Sequence, residues 1–157
     1  MKKEGLSLIN PKDVITMLIP FPDINAKLAQ KKHMYICWQK IGTEHHFVKC
    51  QSVKPYMLDK TVCKHYIDEE ADEQRNPFKH TTKIDCDKVF MTKSVSYDNA
   101  MKTKPKSNIC QKLYDLIAEE LITDGYKTIH LNELAMIRLN RLVTLIKNDE
   151  ENKDFNI

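Results

Sequence analysis

The stretch 33–53, HMYICWQKIGTEHHFVKCQSV, decides the fold of this chain. Residues 33–38 are mostly apolar and aromatic, and residues 47–53 partly alternate between apolar and polar side chains, so both segments predict β-strands. Gly42 and the two residues after it mark a turn. The stretch therefore predicts two neighbouring strands joined by that turn.

One strand is predicted before this stretch and two after it. Residues 14–19 are β-branched and apolar, and the Pro-Phe-Pro-Asp sequence that follows removes backbone donors and ends the strand. A polar loop, residues 24–32, leads into the second strand. Residues 83–91 resume a strand pattern, and residues 93–97 predict a further short strand.

Residues 67–80, IDEEADEQRNPFKH, interrupt the strand patterns. Five acids fall within six positions, and the segment continues into an Asn-Pro pair. A surface insertion with weak order is expected here.

The spacing of apolar residues changes after Ser107 to that of a helix. Apolar residues recur every three or four positions from Ile109 to Leu121, with Ser107 as the predicted cap and Gly125 as the end. A second apolar stripe predicts another amphipathic helix over residues 131–147, followed by a solvated tail.

These elements predict the fold class. Short strands with few residues between them, followed by helices, indicate an α+β domain built on a small antiparallel β-barrel. A chain of 157 residues fits one domain with a real hydrophobic core. We expect a barrel domain with its closing helix at 8–122, and an additional amphipathic helix at 126–148 that packs on or extends the same domain.

The composition indicates a cytoplasmic protein that does not contact a membrane. No apolar run approaches the roughly 18 residues needed to cross a bilayer, and the first residues lack the apolar stretch of a signal peptide.

The cysteines favour the same compartment. They are odd in number and widely spaced, which predicts reduced thiols. The closest approach to a metal motif is Cys63-Lys64-His65, which lacks the spacing of paired zinc ligands, so neither a metal nor another cofactor is predicted. The five cysteines are Cys37, Cys50, Cys63, Cys86 and Cys110.

Charge is distributed unevenly along the chain. Residues 1–66 carry 11 Lys/Arg against 5 Asp/Glu, and residues 88–106 carry 5 against 1. Residues 67–87 carry 3 against 7, and residues 107–157 carry 6 against 9. The basic excess on the strand-rich part suits a polyanion such as RNA, although solvated Lys on edge strands explains it equally well.

The order of these motifs resembles the MazF/PemK family of toxin ribonucleases. Residues 12–38, KDVITMLIPFPDINAKLAQKKHMYICW, resemble the family opening, in which a G-D-[VI] strand runs into P-F-x-D, a loop, and R-P-x-[LV]-V-[IL]. Residues 80–95, HTTKIDCDKVFMTKSV, resemble the segment that reads roughly D-S-[YW]-[IV]-x-[CT]-[DS]-K-[ILV]-F. Residues 47–53 lie where the family has an apolar strand ending in Thr-Ser, and the resemblance spans about residues 12–122.

This resemblance implies an SH3-like barrel with C-terminal helices. Family members are usually dimers that cleave single-stranded RNA without a metal ion and are held in check by an antitoxin. In such toxins an Arg before the second strand and a Thr of the third strand act on the scissile phosphate. The Arg aligns with Lys32 and the Thr-Ser pair with Gln51 and Ser52, so these three are the expected catalytic residues. Lys12 stands where the family has Gly.

The substitutions change what the site can do. Lys32 supplies positive charge but lacks the planar fork of Arg, and with an ordinary pKa of about 10.4 it is a poor base. Ser52 can donate a hydrogen bond. His33, His45 and His46 are candidates for an acid or base, although surface and turn positions are commoner for His.

A further set of residues is expected to contact RNA. Lys49 and Gln51 are predicted on the face of the third strand opposite to Ser52. An aromatic ring beside basic strands, such as Trp38, can stack on an unpaired base, whereas most such rings belong to the core. The residues expected to contact RNA are Lys31, His33, Trp38, Lys49 and Lys54.

Three functions stay open. The leading one is a toxin-like, metal-independent endoribonuclease, active or attenuated, of a type II toxin-antitoxin system, with single-stranded RNA, an antitoxin-like protein and a second copy of the chain as partners. The second is a catalytically inactive barrel that binds RNA or a protein partner. The third is an interaction protein that binds through its last amphipathic helix.

Overall fold

The computed structural model describes residues 9–20, 32–52 and 65–146. Within these ranges the strands are β1 Val14–Met17, β2 His33–Ile41, β3 Glu44–Ser52, β4 Tyr66–Glu69, β5 Thr82–Asp85, β6 Lys88–Lys93, β7 Val95–Tyr97, β8 Lys127–His130 and β9 Val143–Leu145. The helices are α1 Gln111–Asp124 and α2 Glu133–Leu139, and a 3-10 turn covers Asn99–Met101.

The β2–β3 hairpin is the centre of the sheet. The two strands pair antiparallel around a two-residue turn at Gly42 and Thr43. Gly42 has a φ of +59°, a left-handed conformation that hairpin turns require and glycine adopts without strain. β1 pairs with the other edge of β2. The three strands predicted around the stretch 33–53 are therefore confirmed.

The second edge of β3 is shared by two strands. Its end pairs with β5, which also pairs with β4, and its start pairs with β6, which pairs in parallel with β8. The prediction of one continuous strand over 83–91 is wrong, because the chain turns at Cys86 and Asp87 between β5 and β6. β7 and β9 form a separate two-stranded sheet.

The hydrophobic core lies on both faces of the central sheet. One cluster packs the strands against α1, and the other packs them against α2 and the β7–β9 pair. The first includes Val14, Ile36, Val48, Ile84, Leu113 and Ile117. The second includes Ile15, Tyr35, Phe47, Phe90, Tyr97 and Met136. Each fully buried side chain of this kind stabilises the fold by about 1.5–3 kcal/mol, so both faces are needed.

The helix α1 was predicted well except at its start. Cys110, and not Ser107, caps it, since the Cys110 Sγ accepts a hydrogen bond from the Leu113 N–H at 3.4 Å. The Ser107 carbonyl instead accepts a bond from the Val14 N–H, which ties this segment to β1. Gly125, with a φ of +77°, ends the helix as expected.

The prediction of a helix over 131–147, and hence of a helical unit at 126–148, is wrong. The segment forms β8, the seven-residue helix α2 and β9. Asn140 adopts an extended backbone at the end of α2, and its side chain bonds to the main chain of Leu18. These tertiary bonds override the apolar stripe, and Met136 and Val143 enter the main core.

The acidic segment 67–80 is also more ordered than predicted. It contains β4, and both Glu69 and Asn76 are buried. Because a buried carboxylate and amide need hydrogen-bond partners, this segment is fixed by its own polar groups.

The α+β class is confirmed, with a mostly antiparallel sheet and two helices. Among the strands in the described ranges, the outermost ones, β1, β4 and β8, do not pair with one another, so no closed barrel forms from them. No helix in these ranges is both long and apolar enough to cross a membrane. Cys37, Cys50, Cys86 and Cys110 are free thiols, as predicted, and Cys63 lies outside the described residues.

Candidate nucleic-acid interface

Three neighbouring strands present side chains on one face at the same end of the sheet. Thr16 of β1 lies opposite Met34 of β2, and Met34 lies opposite Cys50 of β3. Ser52, two residues after Cys50, points to the same face because strand side chains alternate. Thr16, Met34 and Ser52 line one cavity of about 480 Å³.

A second cavity, of about 450 Å³, adjoins the first. Both are lined by Thr16, Ala100 and Lys102. Lys32 and Arg141 line the smaller cavity, and Lys79, His80 and Lys104 line the larger one with Ser52. We call the two cavities together the basic groove.

Among the residues that the structure describes, the groove is lined by cations and by no Asp or Glu side chain. Lys102 is partly compensated, because its Nζ lies 3.3 Å from the Asp13 Oδ2. In the part of the chain that the structure describes, no carboxylate lies within ion-pair distance of the other four cations, which are Lys32, Lys79, Lys104 and Arg141. Such a surface attracts phosphate groups.

The wall formed by residues 100–104 is tied to β1. Lys102 forms an isolated antiparallel bridge with Ile15, and the Thr103 N–H donates to the Val14 carbonyl at 3.0 Å. The Thr103 hydroxyl donates to the Lys106 carbonyl at 2.8 Å. The backbone of this wall is thus fixed, and Lys102 and Lys104 line the groove from it.

The wall formed by residues 77–80 is held by Asn76. The Asn76 Nδ2 donates to the Glu69 Oε2 at 2.8 Å and to the Glu70 carbonyl at 3.0 Å. Its Oδ1 accepts from the Phe78 N–H at 3.0 Å. Arg75 completes the network with Nε and Nη2 contacts of 2.8 and 3.2 Å to the Glu69 carboxylate. This bidentate pair is stronger than a neutral hydrogen bond.

The third wall, residues 139–142, is held by Asn140. Its Oδ1 accepts from the Leu18 N–H at 2.9 Å, and its Nδ2 donates to the Leu18 carbonyl at 2.8 Å. The same amide donates to the Met136 carbonyl at 3.0 Å. Arg141 is therefore presented from a fixed corner of the chain.

The three expected catalytic residues do not form one cluster. Lys32 and Ser52 line neighbouring cavities of the basic groove. Gln51 lines neither cavity and lies opposite Lys83 of β5, on the other face of the sheet. Because successive side chains of a strand point to opposite faces, a strand that places Ser52 in the groove places Gln51 on the other side.

The residues expected to contact RNA are also divided. His33 and Lys49 fall on the same face as Gln51, away from the groove, because they alternate with Met34 and Cys50. Burial lowers the pKa of the Lys49 ammonium, although Asp85 opposes that shift. Lys31 and Lys54 lie outside the described residues.

The structure places Trp38, which was expected to stack on a base, in the hydrophobic core. Its side chain is only 4% exposed and belongs to the core under α1, with its ring edge-to-face against Tyr126 at 5.2 Å. A ring covered in this way has no free face for a nucleobase.

His45, one of the candidate acids or bases, is a core residue. It is 1% exposed, stacks on Phe47 with ring centroids 6.0 Å apart, and meets Tyr97 edge-to-face with centroids 4.9 Å apart. Burial lowers its pKa to about 4, and Lys40 and His46 add to the effect. A neutral, buried imidazole of this kind does not reach a substrate, and His46 contacts the Glu44 carboxylate at 2.9 Å.

Sequence reasoning missed three groove residues, His80, Lys79 and Arg141. Lys79 and His80 belong to the acidic segment, and Arg141 to the supposed helix. The only sequence signal near Lys79 and His80 is the Asn-Pro turn at Asn76 that precedes them. A turn by itself does not indicate which part of the sheet it packs against. Lys102 and Lys104 belong to residues 88–106, whose basic excess is visible in the sequence.

The arrangement can bind a phosphodiester chain. Lysine and arginine groups neutralise phosphate oxygens, and the Thr16 and Ser52 hydroxyls can donate hydrogen bonds to them. His80 is the one imidazole among the groove residues that the structure describes, and imidazole is the usual proton acceptor near neutral pH.

Comparison of the chain with protein-family models, with curated proteins and with solved structures found no match.

Proposed function

We propose that this protein binds single-stranded RNA in the basic groove and cleaves it slowly, as a toxin-like endoribonuclease of the MazF/PemK type. The observation that carries the proposal is the meeting of Lys32 and Ser52 at adjoining cavities that three further cations, Lys79, Lys104 and Arg141, also line, with no carboxylate among the described lining residues. Two of the three residues that the sequence resemblance assigns to a scissile phosphate, Lys32 and Ser52, thus lie on a surface suited to phosphate.

The backbone at Lys12 supports the resemblance independently. Lys12 has a φ of +85°, a region that favours glycine, and Gly is the residue of the family motif at this position. Lys12 thus adopts, at a cost, a backbone conformation that the Gly of the motif would adopt without strain. The SH3-like relationship implied by the resemblance remains part of the proposal, with the described strands forming an open sheet and not a closed barrel.

The proposed reaction is an internal transfer at phosphorus. The ribose 2′-oxygen attacks the phosphorus, the bond to the 5′-oxygen breaks, and the products are a 2′,3′-cyclic phosphate and a 5′-hydroxyl. His80 accepts the proton of the 2′-hydroxyl, and water supplies the proton of the leaving 5′-oxygen. Lys32 and Ser52 stabilise the negative charge that develops on the phosphate oxygens.

Cleavage is expected to be slow. Lys32 offers a point charge in place of a bidentate fork, and Gln51 faces away from the groove. Loss of one oxyanion donor alone costs about 100- to 1000-fold in rate in other enzymes. The same departures favour the second candidate, a binding module without catalysis, since they remove catalytic groups and leave the cations in place.

The resemblance supplies the proposed partners and location. A homodimer and an antitoxin-like protein that covers the basic groove are expected, in the cytoplasm, where RNA and reduced thiols coexist. Light scattering of the purified protein should give twice the mass of one chain, and a strictly monomeric mass at tens of micromolar would count against the toxin-like assignment.

The decisive experiment measures RNA binding and cleavage together in EDTA. Purified protein is incubated with a long single-stranded RNA, and wild type is compared with Lys32→Ala, Ser52→Ala and His80→Ala, with Lys49→Gln as the control from the other face. We expect cyclic-phosphate ends from wild type, at least about tenfold slower cleavage by each groove variant, and no change for Lys49→Gln.

The outcomes separate the two candidates. Salt-sensitive binding without any cleavage would favour the binding module, and Lys32→Arg would then also stay inactive. Absence of RNA binding at low salt would overturn both.

A further inference from the structure

A mixed cluster of metal-ligating side chains lies at the end of α1, outside the basic groove. The His65 Nε2 is 2.5 Å from the Glu120 Oε1 and 2.8 Å from the Asp124 Oδ2. The ligand atoms of all three residues lie within 4.8 Å of one another. One nitrogen and two oxygens therefore converge on a single point between α1 and the start of β4.

The helix α1 by itself disfavours two negative charges at the positions of Glu120 and Asp124. Glu120 and Asp124 are four residues apart in the last turns of α1, so they face each other as like charges. They also meet the negative end of the helix dipole, and the last turn contains no basic residue. A positive group is needed here to stabilise both acids.

His65 is fixed in position by the sheet. Its carbonyl accepts a hydrogen bond from the Cys86 N–H at 2.8 Å, which ties it to the corner between β5 and β6. Less than 1 Å² of its Nε2 atom is exposed to solvent, although the side chain as a whole is 25% exposed. The nitrogen is thus shielded and aimed between two carboxylates. One N–H cannot align well with two acceptors at once, whereas one cation can bind all three atoms.

We infer that His65, Glu120 and Asp124 bind a divalent transition-metal cation, with Zn²⁺ as the best-suited ion. Imidazole and carboxylate together suit zinc, while Mg²⁺ and Ca²⁺ prefer oxygen ligands alone. Three protein ligands leave a fourth position for water. The bound ion crosslinks the end of α1 to the sheet and neutralises both acids.

The inference does not depend on RNA binding, because the cluster and the basic groove share no residue. The competing explanation is a protonated His65 that forms an ion pair with both acids without a metal. Cys63 lies outside the described residues and is not included in the site.

The test uses the full, untagged chain after treatment with EDTA and dialysis. ZnCl₂, CoCl₂ and MgCl₂ are added separately, and binding is measured by calorimetry and by thermal unfolding. We expect one Zn²⁺ per chain and a melting temperature raised by roughly 5–10 °C at a hundredfold excess over the dissociation constant, with little effect of Mg²⁺.

Matched variants assign the ligands. Glu120→Gln and Asp124→Asn should each weaken Zn²⁺ binding at least about tenfold, the loss that even outer-sphere changes cause at metal sites. Glu119→Gln, an exposed acid on the same helix, should bind as wild type. Far-ultraviolet circular dichroism checks that the variants are folded.

Cobalt absorption distinguishes this site from binding by thiols. Visible bands without an ultraviolet thiolate-to-cobalt band are expected, because the ligands are nitrogen and oxygen. No metal binding, or binding that Glu120→Gln and Asp124→Asn leave unchanged, would overturn the inference and favour the ion pair. A strong thiolate band would assign the metal to cysteines and overturn it as well.

Discussion

The two faces of the central sheet differ in whether their polar side chains are exposed in cavities or buried. On the groove face, Thr16 and Ser52 line open cavities beside five cations, of which only Lys102 forms an ion pair within the described part of the chain. On the opposite face, His45 is buried between aromatic rings and Lys49 is partly buried near Asp85. Since adjacent residues of one strand fall on different faces, residues close in sequence need not share a site.

Because of this difference, the net charge of a sequence segment does not predict which face of the sheet its charged side chains occupy. Lys49 belongs to residues 1–66, the segment with the largest net positive charge, and faces away from the groove. Lys79 and Arg141 belong to segments with an acidic excess and line it. The net charge of a sequence segment therefore differs in sign from the charge of the surface to which some of its side chains contribute.

The largest expected effect comes from breaking the groove wall at Asn76. Asn76→Leu removes four hydrogen bonds of a side chain that is 1% exposed, including the bond to the buried Glu69 carboxylate. Each buried group left unpaired costs about 1–3 kcal/mol, so we expect a loss of about 3–4 kcal/mol in the free energy of unfolding. Urea unfolding measures the change.

The neighbouring Gln74 provides the control for that variant. Gln74→Leu makes the same change of side-chain type at an exposed position of the same turn, and surface changes usually stay within about 0.5 kcal/mol. If Asn76→Leu were as mild as Gln74→Leu, the wall would not depend on this network.

The elements that sequence predicted correctly are those whose signal is local. The β2–β3 hairpin combines strand-forming residues with a glycine turn, and α1 combines a regular apolar period with Gly125. The helix over 131–147 failed because its end is set by Asn140 and Leu18, which lie 122 positions apart. No local pattern contains such a bond.

The candidate site was predicted in part for the same reason. Lys32 and Ser52 were found through a motif order that follows the strands. His80 was not, because its place in the groove depends on the docking of an acidic turn through Asn76. Gln51 lies on the other face of the sheet, since an aligned motif does not specify the face on which its side chains fall.

A smaller effect, on the opposite face, is an acid-dependent loss of stability from His45. Its pKa is about 4 in the folded state, below the ordinary value of 6.5, so the unfolded chain binds the proton more tightly. The stabilisation is complete above about pH 6.5 and is lost as the pH falls toward 4. A shift of this size corresponds to on the order of 3 kcal/mol.

The measurement compares the free energy of unfolding of wild type and His45→Leu from pH 7.5 to 4. Carboxylates titrate in both proteins, so the difference between the two curves isolates His45. We expect that difference to change by on the order of 3 kcal/mol over this range. The control is His46→Leu, at the next position of β3. This variant keeps His45, so it should show the same His45-dependent loss of stability at low pH as wild type. Parallel curves for wild type and His45→Leu would contradict the buried, neutral imidazole.

The smallest expected effect is on RNA affinity, and it compares the two faces directly by replacing one lysine on each. With four uncompensated cations, the logarithm of the affinity for single-stranded RNA should fall with the logarithm of salt at a slope of about −3, or about 50-fold between 50 and 200 mM. Lys104→Gln removes one groove cation, so the slope should become shallower by about 0.7, with a several-fold loss of affinity. Lys49→Gln removes the same charge from the opposite face and should leave both quantities unchanged. Fluorescence anisotropy over a salt series measures them, and an equal effect of the two substitutions would show that the basic groove is not where RNA binds.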